Sequence, residues 1–479
     1  MNTKLLKQKI LDLAIRGKLT QQLESDGTAR ELLEQISSKV SSSSSTLSSP
    51  RRRGSPSSSA AKTIIPLDKS EAPFEIPANW EWVRLGDVGK TITGATPSKN
   101  HPEYEGDEIP FLSPGDISQA NTITSYESQG LSKQGKILAR PVPANTVLQV
   151  CIGGSIGKCA IVDREVCFNQ QINSISVLIA KYEYIYAVLQ SLYFQNEIIL
   201  KATGTATPII NKSSWDNLLV PLPPLAEQQR IVEKIEEAFA EIDAIEKNKE
   251  LLKTHIKQTR QKILDLAIHG KLVPQNKSDE PASVLLERIT RDNPHYEKLT
   301  DIPFEIPESW EWIKLMNVCE DFIVPQRDKP TEFTGNIPWC RIEDIEGKYL
   351  NGSRSHQLVT KELADKMNMH LCPKGTVISA CSASIGNQAI TTVDCYTNQT
   401  FIGIVCNKTL LFNEYLYYFL ESQSKKLKEM GKGTTIGYIS RKKYEDYAFP
   451  LPPLAEQKRI VNKIEEIFAS LDEISLHLV

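Results

Sequence analysis

The sequence predicts an α+β protein in which two similar globules are separated by an antiparallel pair of long helices, a coiled coil, with an internal repeat that is circularly organised. Two observations predict it. First, three segments recur: Lys9-Ile-Leu-Asp-Leu-Ala-Ile15 as Lys262-Ile-Leu-Asp-Leu-Ala-Ile268, Pro73-Phe-Glu-Ile-Pro-Ala-Asn-Trp-Glu-Trp82 as Pro303-Phe-Glu-Ile-Pro-Glu-Ser-Trp-Glu-Trp312, and Pro221-Leu-Pro-Pro-Leu-Ala-Glu-Gln228 as Pro450-Leu-Pro-Pro-Leu-Ala-Glu-Gln457. A duplication this long implies two similar modules related by an approximate internal two-fold. Second, Ile235, Ile242, Lys249, Ile256 and Ile263 recur every seventh residue after Pro224, with Ala238, Ile245, Leu252, Thr259 and Leu266 at the other seam position. That is the a/d pattern of a coiled coil. From Leu225 to Ile268 it forms a rod of about 66 Å at ~1.5 Å per residue.

Residues 1–36 read as an N-terminal helical region, amphipathic over 4–19 and carrying Lys4, Lys7, Lys9, Arg16 and Lys18. The copies lie 253 positions apart at Lys9 and Lys262 but 230 apart at Pro73 and Pro303, so the first holds 23 more residues. Residues 37–72, with Ser41–Ser45, Arg51-Arg-Arg53 and Ser57–Ser59, account for them and read as a Ser-rich flexible linker. Residues 73–220 and 303–449 are the two globules. Within them, Thr146–Val150 and Ile172–Leu178 read as strands, and Glu183–Leu200 and Glu414–Met430 as helical. Residues 221–272 form the central spacer helix, started by Pro223-Pro224 and stopped by Gly270 and Pro274. A connector, 273–302, precedes the second globule, and 450–479 form a C-terminal spacer helix. Its seam of Ile464, Ile467, Leu471 and Ile474 is continued by Leu6, Ile10 and Leu13 at the other end of the chain. The two terminal helices are thus expected to rebuild one rod running against the central one.

The bulk numbers narrow the function classes. At 479 residues, two or three domains are expected. No apolar run approaches the ~20 residues of a membrane helix, and the start lacks a signal-peptide pattern, so a cytoplasmic protein without membrane partners is expected. Nine cysteines without a CxxC pair, and seven scattered histidines, indicate neither a zinc site nor a disulfide framework. Net charge is −3; the first globule carries 11 Lys/Arg against 14 Asp/Glu and the second 17 against 18. Any nucleic-acid face must then be a local patch.

Catalytic signatures are missing from the sequence. Gly153-Gly-Ser-Ile-Gly-Lys158 departs from a phosphate loop in spacing and in the residue after Lys, and the second copy, Ala383-Ser-Ile-Gly-Asn387, lacks the lysine. Both globules do share a polar and glycine vocabulary: Ser155 with Ser384, Asn169-Gln170 with Asn398-Gln399, Gly204-Thr205 with Gly433-Thr434. Such side chains hydrogen-bond base edges or phosphates, and equally suit turns that keep a globule folded. Discrimination belongs where the copies diverge, as at Lys99-Asn100 against Arg327 and Lys329, and around Arg354. The candidate contact residues are therefore Lys99, Asn100, Ser155, Lys158, Asn169, Gln170 and Thr205 in the first copy. In the second they are Arg327, Lys329, Arg341, Arg354, Ser384, Asn387, Asn398, Gln399 and Thr434.

Two variable globules, each opened by Pro-x-x-Trp-x-Trp and closed by Pro-Leu-Pro-Pro-Leu-x-Glu-Gln-x-Arg-Ile-Val, resemble the specificity subunit of type I restriction–modification systems. The resemblance implies that each globule is a target recognition domain docking in the major groove of double-stranded DNA. The helices between them would set the spacing of a bipartite site. Two modification subunits using S-adenosylmethionine would methylate adenine, restriction subunits using ATP and Mg would translocate and cleave, and this chain would hold no cofactor. A two-module scaffold or adhesion protein with a coiled-coil spacer is the competing reading.

Overall fold

The computed structural model describes residues 2–44, 67, 71–98, 100–118, 122–123, 125–127, 130–204, 206–292, 299, 301–325, 328–432 and 437–478. The chain divides into two compact units, Met1–Asn248 and Lys249–Val479.

In the first unit, α1 (Thr3–Ile15) is capped by Asn2, whose side chain accepts from Leu5 N–H at 3.1 Å. Helix α2 (Ala29–Ser44) runs eight residues into the segment expected to be linker; the rest of that segment up to residue 66 lies outside the described residues. Strands β1 (Glu81–Arg84) and β10 (Leu219–Leu222) pair antiparallel, with Trp82 opposite Pro221. The closing proline element therefore begins as the last strand of the globule, not as the start of the spacer. A five-stranded sheet has the order β2 (Gly89–Thr93), β9 (Ile172–Val177), β6 (Thr146–Val150), β7 (Cys159–Val162), β4 (Thr122–Ile123). A second sheet holds β5 (Gly130–Leu131), β3 (Glu105–Leu112) and β8 (Cys167–Phe168). Strand β6 is buried along its whole length, which suits its central place and its β-branched run. Helices α3 (Lys133–Ala139), α4 (Tyr182–Gln190), α5 (Leu192–Lys201) and α6 (Lys212–Asp216) complete the globule. Its main core joins Leu11, Ala14 and Ile15 of α1, Trp80, the inner face of α4, Trp215, and Ile231, Val232 and Ile235.

Those last three residues belong to α7 (Leu225–Ile268), a single helix of 44 residues through which the division into units passes. No Gly or Pro interrupts it. It ends at Gly270, just as α1 ends at Gly17, and both glycines hold φ of +66°. A β-carbon at either would come within 2.3 Å of Pro77 or Pro307 Cγ, so the repeated Pro-x-x-Trp element fits against the bare backbone. Gly17→Ala is expected to cost about 1–3 kcal/mol through both clash and strain, read as a lowered urea midpoint; an unchanged midpoint would contradict this.

The second unit repeats the plan. Its elements are α8 (Ala282–Asp292), the β11 (Glu311–Lys314) and β20 (Ala448–Leu451) pair, and a five-stranded sheet ordered β12 (Cys319–Ile323), β19 (Phe401–Cys406), β16 (Val377–Ala380), β17 (Gln388–Thr391), β14 (Tyr349–Leu350). A small sheet holds β15 (Leu358–Val359), β13 (Ile337–Cys340) and β18 (Tyr396–Thr397). Helices α9 (Lys361–Lys366), α10 (Asn413–Ser422), α11 (Ser424–Met430), α12 (Arg441–Glu445) and α13 (Leu454–Leu476) follow. The copies compensate internally: Trp215 donates to Gln149 Oε1 at 2.7 Å, whereas Tyr444 in the same place shares a 2.9 Å hydrogen bond with Ser379.

The helix seams follow the heptad in part. Ile235, Ile242, Ile256 and Ile464 are buried, and Ile10, Ile263, Ile467 and Leu471 are half-buried. Leu6, Ile245, Leu252 and Ile474 stay exposed, at 36%, 46%, 39% and 44%. The terminal helices run out here: Thr3 at the start of α1 hydrogen-bonds Glu246, and Asp472 near the end of α13 pairs with Arg260. Leu13 is only half-buried, because α1 also packs on α4 and α5 and buries Leu11, Ala14 and Ile15 in its place. Lys7 to Asp243 in the first unit and Arg260 to Asp472 in the second are equivalent ion pairs, each cation lying over an aromatic ring, Phe239 or Phe468.

Candidate nucleic-acid interface

The short polar elements shared by the two globules converge at one end of each five-stranded sheet. In the first unit, the turn between β6 and β7 carries Ser155 and Lys158. Cys151 N–H donates to Gln171 O at 2.8 Å, tying this turn to the Asn169-Gln170 turn between β8 and β9. Gly153 N–H donates to Pro208 O at 2.9 Å, and Ile152 and Thr203 both bridge Ile209, which draws in the segment beside Gly204. Gly94, just after β2, lies so close that a β-carbon there would sit 2.2 Å from the carbonyl oxygens of Phe168 and Asn169. The loop leading to exposed Asn100 therefore leaves directly from this polar ledge, and Thr96 hydrogen-bonds Gln170 across it.

The second unit builds the same ledge. Cys381 N–H donates to Thr400 O at 2.8 Å, and Asn387 N–H to Ser384 O at 3.2 Å. Asn398 N–H donates to Cys340 O at 3.1 Å, placing the Asn398-Gln399 turn beside Arg341.

Within each pair the two shared residues have different jobs. Asn169 Oδ1 accepts from Gln171 N–H at 2.9 Å, and Asn398 Oδ1 accepts from the Thr400 hydroxyl at 2.6 Å, so each asparagine pins its own turn. The neighbouring Gln170 and Gln399 are exposed at the crest.

The copies diverge beside these crests. Ser113 and Arg341 hold the same turn position, each donating its backbone N–H to a carboxylate, Asp116 or Asp344, at 2.7 Å. One copy thus presents a hydroxyl where the other presents a guanidinium. Arg341 pairs with Glu343 at 2.8 Å and its Nε is buried without a partner among the described residues. Arg354 joins the group, its backbone N–H on Asp344 at 2.8 Å and its Nε 3.2 Å from Glu346. Lys329 stands apart, exposed, with its ammonium 5.7 Å above the Phe333 ring. Lys99, Thr205, Arg327 and Thr434 lie outside the described residues.

What fixes each ledge to its spacer helix is a buried clamp, made by residues the sequence displayed without disclosing their role. Glu227, fully buried in the first turn of α7, accepts from Trp80 Nε1 at 2.8 Å and from Gln22 Nε2 at 2.6 Å. Glu456 of α13 does the same with Trp310 at 3.0 Å and Gln275 at 2.6 Å. Gln228 and Gln457 accept from Lys181 and Phe412 N–H, each at 2.8 Å, and so hold the starts of α4 and α10. Arg230 grips Asp26 through two bonds of 2.8 and 2.7 Å, and Arg459 meets Asp279 at 2.7 Å. The Arg230 guanidinium holds the Asp26 carboxyl below its usual range. The signal for the clamp was recurrence: Trp, Glu and Arg return together in both copies.

Burial raises the carboxyls of Glu227 and Glu456 above the ordinary range, against the pull of their Trp and Gln donors. The native state then holds protons that the unfolded chain, titrating near ~4.3, has released. Stability is fullest below that value and falls as pH rises through the raised native values. Glu227→Gln with Glu456→Gln is expected to flatten this fall, measured as urea midpoints from about pH 4 to about pH 7; an unaltered slope would contradict it.

Among the described residues, no group of three or more His, Cys, Asp or Glu is arranged to hold a metal ion, and no helix is long and apolar enough to cross a membrane. Residues 77–254 and 307–476 match the family described as the type I restriction modification DNA specificity domain. The chain belongs to this family. Each match takes in one globule and runs on into the helix that follows it, as far as residue 254 of α7 and to the end of α13. Among relatives of the family, the specificity subunit of the type I restriction enzyme EcoAI from Escherichia coli is 24% identical, covering 98% of this chain and 90% of the relative. That of EcoEI, also from Escherichia coli, is 23% identical over 99% and 90%. The MjaVIII specificity subunit of Methanocaldococcus jannaschii is 24% identical over 82% and 87%. In fold, the chain is similar to the HsdS subunit of Thermoanaerobacter tengcongensis, with a TM-score of 0.57 at 20% identity, covering 86% of this chain and 94% of the other. A chain solved in work on assembly and conformational transition of a type I system gives 0.58 at 20% identity.

Proposed function

We propose that this specificity subunit reads a bipartite sequence in double-stranded DNA, one half with each globule, and performs no chemistry itself. The observation that carries the reading is the pair of ledges: one backbone frame built twice, with a hydroxyl at Ser113 where the other copy has Arg341. Equal frames with unequal side chains suit two different half-sites, since Arg favours guanine and Asn or Gln favours adenine by about 1–3 kcal/mol per good contact. Half-sites on one face of B-DNA lie about 34 Å apart per turn, within reach of a rod as long as α7. Two modification subunits with S-adenosylmethionine would supply adenine methylation, and restriction subunits with ATP and Mg translocation and cleavage. The cytoplasm, where genomic DNA and these subunits meet, is the place for it. The two-module adhesion scaffold gains no support from the family or from the ledges.

The test is to express the chain with its neighbouring modification subunits and map methylated adenines in the host genome. A single two-part motif, lost when this chain is omitted, is the expected result. Methylation that persists without it would overturn the proposal.

A further inference from the structure

The two globules differ most in charge where their frames are alike. Between 425 and 443 the second copy carries Lys425, Lys426, Lys428, Lys432, Arg441, Lys442 and Lys443 against one acid, Glu429. The corresponding stretch of the first copy, 196–214, carries Lys201 and Lys212 against Glu197. All seven cations of the second copy are exposed. Lys426, Lys442 and Lys443 gather on one face because α11 and α12 are joined: Lys443 Nζ donates to Met430 O at 3.1 Å, and Lys426 lies 5.4 Å over the Tyr447 ring. Lys428 lies on the other side of buried Leu427, beside Gly386 of the ledge. Between the helices runs an open groove of about 380 Å³, lined by Lys426, Lys442, Lys443, Ser440 and Tyr447.

Acids neutralise only part of this surface. Arg441 is engaged by Glu445 at 2.7 Å and Lys442 by Asp446 at 3.1 Å. Lys425, Lys428 and Lys432 have no ion pair among the described residues. The patch also adjoins the ledge on two sides. Ser424, opening α11, donates to Gly386 O at 3.2 Å in the turn of Ser384 and Asn387. Arg441, opening α12, reaches Asp321 of β12 at 3.6 Å, the strand that leads into the loop of Lys329.

Resting on the DNA-reading proposed above, we infer that α11 and α12 form a clamp for the phosphate backbone of duplex DNA, present on the second globule alone. A regularly spaced polyanion is the occupant that fits unpaired lysines set beside a base-reading ledge. The first globule, without this patch, depends more on its base contacts. Binding of the whole site is then electrostatically lopsided.

The test uses the full chain with Lys425, Lys426, Lys428 and Lys432 all changed to Gln, exposed replacements of similar helix propensity. Duplex binding is measured from about 50 to about 200 mM salt. If each lysine meets one phosphate, the slope of log affinity against log salt drops by about 3–4, and a salt sensitivity of about 100-fold over that range disappears. The loss should be the same on specific and random duplexes, with the methylated motif unchanged and the thermal midpoint of the wild type retained. A slope within about one of the wild type would overturn the clamp. So would loss of co-purifying modification subunits at an unchanged slope, which would mark the patch as a protein-docking surface. A wild-type chain that binds no duplex, alone or with its partners, would overturn the DNA reading and the clamp with it.

Discussion

Replacing residues 73–220 with the equivalent globule of another specificity subunit is expected to change one half of the methylated motif and leave the other half and the spacer as they were. The expectation rests on how each globule is seated. Its ledge is made from its own strands and turns, and its attachments run through the β1–β10 pair, Trp80 and Gln228. Those attachments are repeated as the β11–β20 pair, Trp310 and Gln457, so a graft that keeps them meets a surface it already fits. Good base contacts contribute about 1–3 kcal/mol each, so losing a set of them is enough to abolish one half-site and install another. Mapping of methylated adenines in a strain carrying the hybrid reads the result directly. Alteration of both halves would show that the modules do not act separately.

Glu227→Ala and Glu456→Ala are each expected to lower stability by about 1–3 kcal/mol, since each leaves a buried indole N–H without its acceptor. The orphaned group is the indole N–H of Trp80 or Trp310, both 3% exposed; the exposed amides of Gln22 and Gln275 keep the carbonyls of Gly17 and Gly270, each at 3.2 Å. Urea unfolding with an unchanged slope would read the loss as a shift in midpoint. Glutamine, which keeps an acceptor for the indole, should recover most of it. A cost below about 0.5 kcal/mol, as for an ordinary surface position, would show that the clamp does not hold the fold.

The parts of this fold set by local pattern were legible in the sequence. The 44-residue α7 begins after the proline pair and ends before Gly270, and β6 occupies Thr146–Val150, because periodicity and breakers act over a few residues. What tertiary packing decides was not legible. Alpha-helical spacing in α1 allows either Leu6 and Leu13 or Leu11 and Ile15 to face inward, and only the presence of α4 and α5 chooses the latter. Glu227, in the first turn of a helix, reads as a solvated anion favoured by the helix dipole; its burial depends on Trp80, 147 positions away. Strand β3 begins with four exposed residues containing Gly106, which masks it as a loop. Of the ledge, the repeated Asn, Gln and Ser marked turns that the fold gathers at one end of each sheet, but not that Asn169 and Asn398 pin those turns while their Gln neighbours are exposed.

The close fit of Pro77 against Gly17 and of Pro307 against Gly270 has a bearing on descent. Two seats of one design accept the same kind of module, so exchanging one module for another leaves its seat intact. A lineage can therefore acquire a new pairing of half-sites in a single genetic event, without first evolving a new way to hold it.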